Sequence, residues 1–241
     1  MPAAAALILA ATLSRALGDE LLSGCTAAER QTVLHTADTS PLGTAGGRRV
    51  VLVSVHGSCV CGTVNCPYVV LRLAPDGTAD VLLNTFAYEV APTGPAAPLP
   101  NLRELAHDSA LVSDETVDAY RNGKYVVVSS ARIRGDNGAR KANAVPVHFA
   151  AGTTSTVLSG SVSLGWYDEY ALAAAAGQRI TVSEPHASGT LTFTLVDRDG
   201  AHAVDIAPGV AAVLPRSGVF LLHVEGSGEA AESYRATVTI R

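Results

Sequence analysis

The sequence predicts a mainly β protein with two β domains, the second an antiparallel β-sandwich of jelly-roll-like type. The chain has 241 residues, more than the about 100 to 200 residues of a typical single domain. Apolar residues make up 48% of it and aromatic residues only 5%, so the cores must be mostly aliphatic. Short β-branched runs recur along the chain between turn sequences, which is typical of sandwiches and barrels.

Residues 1–18 have the pattern of an export signal. Ala3 to Leu13 is apolar apart from Thr12, and Ala16-Leu17-Gly18 places small residues before a cleavage site. The apolar run is too short to span a bilayer, which requires about 20 residues. We therefore expect a periplasmic or secreted chain that begins at Asp19 and has no membrane span.

Two alternatives for this region remain open. Leu22-Ser23-Gly24-Cys25 resembles a lipobox, which implies a lipid anchor at Cys25, although Asp19 and Glu20 separate the box from the apolar run. The apolar run can also be the core-facing side of an N-terminal helix.

A polar, Gly- and Asn-rich stretch at 135–144 predicts a linker between a first β domain at 19–134 and the sandwich at 145–241. The net charge is −5 and there is no basic run, which argues against nucleic acid or anionic lipid as a partner. Pro146 to Arg241 contains nine acidic residues and five Arg without Lys. A charged partner of this region is therefore expected to be basic.

In the first domain, Arg49–Val55 and Tyr68–Leu73 read as strands. Asn122-Gly123 is a strong hairpin signal, and Ala27–His35 suggests a helix. Four prolines between Ala91 and Pro100 predict a surface loop. Turns are expected at residues 74–78, around Gly77, and in the second domain at Arg198-Asp199-Gly200.

The second domain is predicted to consist of strands throughout. Large apolar residues at every second position, as at Leu191, Phe193 and Leu195, predict a strand with one buried face. The predicted strands are Val145–Phe149, Ser155–Leu164, Tyr170–Ala173, Arg179–Ser183, Thr190–Val196, Ala211–Leu214, Val219–Glu225 and Tyr234–Ile240.

The four cysteines predict two disulfides in an oxidising compartment. The favoured pairs are Cys61 with Cys66, which closes a tight loop, and Cys25 with Cys59, which ties the N-terminal segment to the sheet. Thiolates and imidazole also suit zinc or copper(I). The alternative to the disulfides is thus a metal site of His56, Cys59, Cys61 and Cys66. If the disulfides form, we expect no metal or other cofactor.

We predict no enzymatic activity. His107-Asp108-Ser109 are neighbours in sequence, but a catalytic triad is created by tertiary geometry together with an oxyanion hole. The sequence contains no Gly-x-Ser-x-Gly elbow, and Asp168 and Glu169 point to opposite faces if they belong to a strand. An enzyme of unrecognised type remains a third-ranked function class.

Segments of the second domain resemble the domain of bacterial periplasmic inhibitors of g-type lysozyme, and more broadly the pre-peptidase C-terminal sandwiches of exported hydrolases. The similar segments are 159–162, Gly165-Trp166-Tyr167-Asp168-Glu169-Tyr170-Ala171-Leu172, 176–182, 214–220 and 233–238. The resemblance implies a β-sandwich and a binding function. It implies a basic secreted protein, such as a lysozyme, as the partner.

The first domain, with Cys59-Val60-Cys61, Asn65-Cys66 and His107-Asp108-Ser109, resembles uncharacterised exported bacterial domains, which implies export and a β fold. Trp166-Tyr167 is a concentrated aromatic pair followed by the carboxylates Asp168 and Glu169. Aromatic side chains are frequent anchors of protein interfaces, so these four residues are the candidate partner-binding site. The alternatives are that Trp166 caps the sandwich core, and that the protein is a structural or adhesion module of the cell envelope.

Overall fold

The computed structural model describes residues 3–76, 78–95, 98–187, 190–197 and 203–241. The chain divides into two compact units, Met1–Asp136 and Asn137–Arg241. Both units consist mostly of strands in antiparallel sheets, so the predicted fold class is confirmed. Gly77 and the predicted turn at Arg198-Asp199-Gly200 lie outside the described residues.

The first unit contains two sheets, with β1 to β4 in sequence order in one and β5 to β8 in sequence order in the other. Successive strands are antiparallel within each sheet. Its described elements are α1 (Ala3–Leu22), α2 (Ala27–His35), β1 (Asp38–Ala45), β2 (Arg48–Ser54), β3 (Cys66–Leu73), β4 (Ala79–Ala87), β5 (Glu89–Thr93), β6 (Asn101–His107), β7 (Val112–Arg121) and β8 (Lys124–Arg134).

Strands β2 and β3 are buried on both faces. Val50, Leu52 and Val70 face a core shared by the two sheets, to which Leu102 and Tyr125 of the second sheet also belong. The opposite face forms another core beneath the helices, made of Val51, Val53, Val55, Val69 and Leu71 with Leu13, Leu17, Leu22 and Val33. Burial on both sides is why these strands are continuous apolar runs and not alternating ones.

Helix α1 covers part of this outer face of the first sheet. Leu13 and Leu17 are buried there, and the Asn84 side-chain amide donates to the carbonyl oxygen of Ala16 at 2.7 Å. Helical geometry breaks at Gly18, with φ 74° and ψ 162°, the residue after which cleavage is predicted. The described part of the predicted export signal is thus helical, and its Leu13 and Leu17 pack against the sheet. Among the described residues, no helix has the length and apolarity needed to cross a membrane.

The helix predicted at Ala27–His35 is confirmed with these bounds. Thr26 is its N-cap and forms a capping box with Glu29, in which each residue satisfies a backbone N–H of the other. The Asn122-Gly123 hairpin is also confirmed, since both residues have the positive φ values, 52° and 89°, that a two-residue type I′ turn requires.

Other boundaries were predicted wrongly. Strand β1 was missed because only two of its eight residues, Leu42 and Ala45, are buried, so it carries almost no hydrophobic pattern. Strand β5 extends into the predicted proline-rich loop and includes Pro92. It pairs with β6 only on one side, and an edge strand is the place where a sheet tolerates proline.

The second unit contains β9 (Arg140–Ala142), β10 (Val145–Pro146), β11 (Ser155–Val162), β12 (Asp168–Ala174), β13 (Arg179–Ala187), β14 (Leu191–Asp197), β15 (Ala203–Asp205), β16 (Ala212–Val213), β17 (Gly218–Gly226) and β18 (Glu232–Ile240). One sheet has the order β10-β12-β17-β14-β15 and the other β11-β18-β13-β16. The two-residue β10 pairs with β12 in parallel, whereas the other strand pairs of these two sheets are antiparallel.

A single core lies between these two sheets. Both sheets contribute large side chains to it: Phe193 and Leu222 come from one sheet, and Ile180 and Tyr234 from the other. Strands β17 and β18 alternate between buried and more exposed residues along most of their length. This is the period-2 pattern of strands with one core-facing side.

Phe193→Ala should lower the free energy of unfolding of the second unit by about 3 to 5 kcal/mol, because the ring is 1% exposed and its loss leaves a cavity. Thr192→Ala, on the exposed side of the same strand, should cost less than about 1 kcal/mol. Urea unfolding of both variants measures the difference. Equal losses would contradict the assignment of Phe193 to the core.

Candidate partner-binding site

The predicted site lies at the connection between β11 and β12. The backbones of Ser163 and Trp166 pair through two hydrogen bonds, of 3.2 and 2.9 Å. Leu164 and Gly165 occupy the apex of this two-residue turn, where Gly165 has the positive φ of 69°. We refer to residues 163–167 as the tip loop.

The apex of the tip loop is held by hydrogen bonds to the end of β17 and to the loop that follows it. The Leu164 N–H donates to the carbonyl oxygen of Gly228 at 2.8 Å, and the Gly165 N–H donates to Glu225 Oε1 at 2.6 Å. The Leu164 side chain is 64% exposed, the highest value among the large apolar side chains that the structure describes. The loop therefore presents an apolar side chain on a fixed backbone.

Trp166 is buried, because only 8% of its surface is accessible, so of the two interpretations considered for this ring the exposed anchor is not supported. The Lys141 ammonium lies 5.3 Å from its ring centroid, in cation–π range. The geometry matches the alternative considered for this residue, a ring that caps the end of the sandwich. The exposed apolar residue is its neighbour in the turn, Leu164, which sequence reasoning did not single out because isolated surface leucines are common.

Tyr167 and Glu169 are joined through His223. The Tyr167 and His223 rings stack with centroids 4.5 Å apart and an interplanar angle of 20°. His223 also contacts Glu169, with 2.7 Å between His223 Nε2 and Glu169 Oε2. Glu169 Oε1 accepts a hydrogen bond from the Ala144 N–H at 2.7 Å, so both carboxylate oxygens of Glu169 have partners.

Asp168 is the centre of a half-buried polar network. Lys141 Nζ lies 2.7 Å from Asp168 Oδ1, and the Tyr234 hydroxyl donates to Oδ2 at 2.8 Å. The Tyr170 and Tyr234 hydroxyl oxygens are 2.7 Å apart. Tyr170 is the donor, because the hydroxyl proton of Tyr234 already forms the hydrogen bond to Asp168. Pairing with Lys141 and Tyr234 offsets the desolvation of the carboxylate.

Burial raises the pKa of both tyrosines in this network. For Tyr234 the loss of hydration acts first, and the hydrogen bond with Tyr170 and the charge of Asp168 add to it. For Tyr170 burial is also the largest cause. Both hydroxyls therefore remain protonated donors at physiological pH.

The four candidate residues thus lie next to one another but do not form one exposed surface. Trp166 is buried, Tyr167, Asp168 and Glu169 are half-buried, and the two carboxylates are engaged on opposite sides of β12. They position and charge the base of the tip loop, whereas Leu164 supplies the exposed contact.

In the first unit, disulfides join Cys25 to Cys59 and Cys61 to Cys66, with S–S distances of 2.06 and 2.10 Å. These are the pairs that the spacing favours. Cys25 lies between α1 and α2, so its bridge ties the helical layer to the segment after β2.

The first unit also contains a buried carboxyl pair that sequence reasoning missed. Glu104 on β6 and Asp118 on β7 are 8% and 2% exposed. Burial raises the pKa of Glu104 to about 7, against a hydrogen bond from the Thr85 hydroxyl at 2.6 Å, and the Asp118 charge raises it further. Burial also raises the pKa of Asp118. The signal for this pair, acidic residues on neighbouring strands, emerges only once the register is known.

The residues considered for catalysis are not arranged as a triad. His107 Nδ1 lies 3.3 Å from the carbonyl oxygen of Ser109, and the Asp108 carboxylate lies 3.9 Å from the Arg132 guanidinium. An open cavity of about 600 Å³ lies near Leu17, Cys59 and Phe86. The described side chains that line it carry no titratable group.

No protein-family model matches the chain, and no curated protein sequence matches it. Solved structures similar to it are periplasmic lysozyme inhibitors of g-type lysozyme. Those from Salmonella Typhimurium and Aeromonas hydrophila are 25% and 27% identical, with TM-scores of 0.37 and 0.36. A mutant of the Escherichia coli inhibitor is 24% identical, with a TM-score of 0.35. Each covers 41% of this chain, and 98%, 96% and 98% of the respective inhibitor is covered.

Gly160→Ala should disrupt the base of the tip loop. A Cβ at Gly160 would collide with the Asp168 carboxylate and lie 2.9 Å from the Tyr234 ring, so we expect about 1 to 3 kcal/mol of lost stability, as for overpacking. Ser159→Ala, at an exposed neighbouring side chain, should stay within about 0.5 kcal/mol. Thermal unfolding compares the two, and a wild-type-like Gly160→Ala would argue against the described contact.

Glu104→Gln should reduce the pH dependence of the stability of the first unit. Because the folded-state pKa of Glu104 is raised to about 7, the folded state holds more protons than the unfolded state between about pH 4.3 and pH 7. Stability of the wild type is therefore greatest below this window and falls as the pH rises through it. Urea unfolding at pH 5 and pH 7.5 should show a smaller fall in the variant.

The matched control is Glu89→Gln, which removes a half-exposed carboxylate paired with Arg103 at 2.8 Å. It should retain the wild-type fall in stability between the two pH values. The same fall in Glu104→Gln as in the wild type would show that this carboxyl is ionised in the folded protein.

Proposed function

We propose that the protein is an exported, non-catalytic binding protein whose second unit docks on a basic secreted glycan hydrolase, such as a lysozyme, through the tip loop. The observation that carries the proposal is the Leu164 side chain, 64% exposed on a backbone held at Gly228 and Glu225. A preorganised protrusion loses little conformational entropy on binding.

Charge supports a basic partner. The tip loop rests on the carboxylates of Asp168, Glu169 and Glu225, and Pro146 to Arg241 has nine acidic residues against five Arg. Complementary charge raises the rate of association and makes it sensitive to salt. The segments around the tip loop that resemble the inhibitors of g-type lysozyme make that enzyme the first partner to test.

Export is part of the proposal. The apolar run Ala3 to Leu13, followed by Ala16-Leu17-Gly18, has the pattern of a signal segment. All four cysteines are paired, and disulfides persist in oxidising compartments such as the periplasm.

The binding experiment compares wild type with Leu164→Asp, measuring association with g-type, c-type and i-type lysozymes and inhibition of glycan hydrolysis. Loss of a central apolar contact should weaken binding by about 2 kcal/mol or more, roughly 30-fold. Raising the salt concentration should slow association of the wild type, since the attraction between charges is screened.

Val213→Asp is the matched control. Val213 is 59% exposed and lies on β16, the edge strand opposite β11 in the same sheet, so its change adds the same charge away from the tip loop. Binding should persist in this variant. Failure of the wild type to bind any of the three lysozymes would reject the proposal and favour the role of an adhesion or accessory module in the cell envelope.

A further inference from the structure

The environment of the Cys61–Cys66 disulfide includes a third soft ligand. His56 presents a ring nitrogen near both sulfur atoms, and the three ligand atoms all lie within 4.8 Å of one another. His56 is exposed, whereas Cys61 and Cys66 are half-buried. This is the one group of at least three potential metal ligands found among the described residues.

We propose that reduction of the Cys61–Cys66 disulfide converts this cluster into a three-coordinate Cu⁺ site of two thiolates and the His56 imidazole. In the oxidised protein the two sulfur atoms are bonded to each other and provide no thiolate. The proposal concerns the first unit and is independent of the binding function proposed for the tip loop.

Backbone hydrogen bonds that do not involve the disulfide keep the three residues in place. The Gly62 N–H donates to the carbonyl oxygen of Asn65 at 2.8 Å, and the Cys61 N–H donates to that of Gly57 at 2.9 Å. The Val55 N–H donates to the carbonyl oxygen of Pro67 at 3.0 Å, which fixes the start of the His56 segment beside β3.

Asn65 adds a further clamp on the same loop. Its side-chain amide donates to the carbonyl oxygen of His107 at 3.0 Å, and its Oδ1 accepts from the His107 N–H at 2.9 Å. Cys66 itself is the first residue of β3 and pairs with Ala87 of β4. The cysteines therefore stay close after reduction, and small side-chain rotations are enough to separate the sulfur atoms around a metal ion.

The number and type of ligands favour Cu⁺. Thiolate and imidazole ligands select soft or borderline ions such as Cu⁺ and Zn²⁺. Structural Zn²⁺ sites take four ligands, whereas this cluster offers three, and the nearest further cysteine in sequence, Cys59, is bonded to Cys25. Cu⁺ is stable with three ligands.

The chemistry needs an external reductant, for which a small dithiol suffices. The dithiol transfers two electrons and two protons to the Cys61–Cys66 disulfide, whose S–S bond breaks as the dithiol closes to its own disulfide. Cu⁺ then displaces the two thiol protons and bonds to both sulfur atoms and to the neutral imidazole. Bound metal would in turn protect the thiolates from reoxidation.

The test titrates the full-length protein with Cu⁺ delivered from a coloured chelator under anaerobic conditions, with and without prior reduction by a phosphine that is then removed. Reduced protein should withdraw one Cu⁺ per chain, and oxidised protein none. X-ray absorption should show two sulfur atoms and one nitrogen around the metal. The Cys25→Ser/Cys59→Ser variant should bind equally after reduction, because its only thiols are those of the proposed site.

His56→Asn should lower the Cu⁺ affinity about tenfold or more, since even the loss of a group that only orients a ligand costs that much. His148→Asn, which changes an exposed histidine of the second unit, should leave it unchanged. If the double serine variant does not fold, the comparison of His56→Asn with His148→Asn, each made in the chain with all four cysteines, decides whether His56 is a Cu⁺ ligand. No Cu⁺ uptake by reduced wild type, unchanged affinity in His56→Asn, or preference for Zn²⁺ over Cu⁺ would overturn the proposal.

Discussion

Burial of both faces of β2 and β3 is the constraint on which the first unit depends. One face is covered by the second sheet of that unit, and the other face requires a separate layer. Helices α1 and α2 supply this layer, and the Cys25–Cys59 bridge ties it to the segment that follows β2. Leu13 and Leu17 precede the predicted cleavage site, whereas Leu22 and Val33 follow it and cover the same core. Removal of the signal segment would therefore uncover part of this face and leave part covered.

The second unit meets the same requirement more simply, because its two sheets cover each other around one core. At one end of that core Trp166 is buried and Asp168 is half-buried. An unpaired carboxylate at this position would cost several kcal/mol of stability. Lys141 and Tyr234 satisfy it. The tip loop stands on this network, so the polar residues fix its base and leave only its apex apolar and exposed.

The two units use their unusual residues for different purposes. In the second unit every group of the 166–169 stretch supports the position of the tip loop, and the proposed activity is recognition without chemistry. In the first unit the disulfides and the buried pair of Glu104 and Asp118 respond to redox state and to pH.

The sequence by itself determined the features whose causes are local: the capped helix Ala27–His35, the Asn122-Gly123 hairpin, the mainly β fold class and the preferred pairing of the four cysteines. It missed β1, whose residues are mostly exposed, and β5, where an edge position tolerates Pro92. It singled out residues 166–169 as the candidate binding site, of which Trp166 is buried, and did not single out the exposed Leu164. Whether Trp166 or Leu164 is exposed depends on which residue of a turn points into the core. The neighbourhood of Glu104 and Asp118, and of His56 with Cys61 and Cys66, likewise depends on strand register and loop closure, and only the tertiary structure decides these.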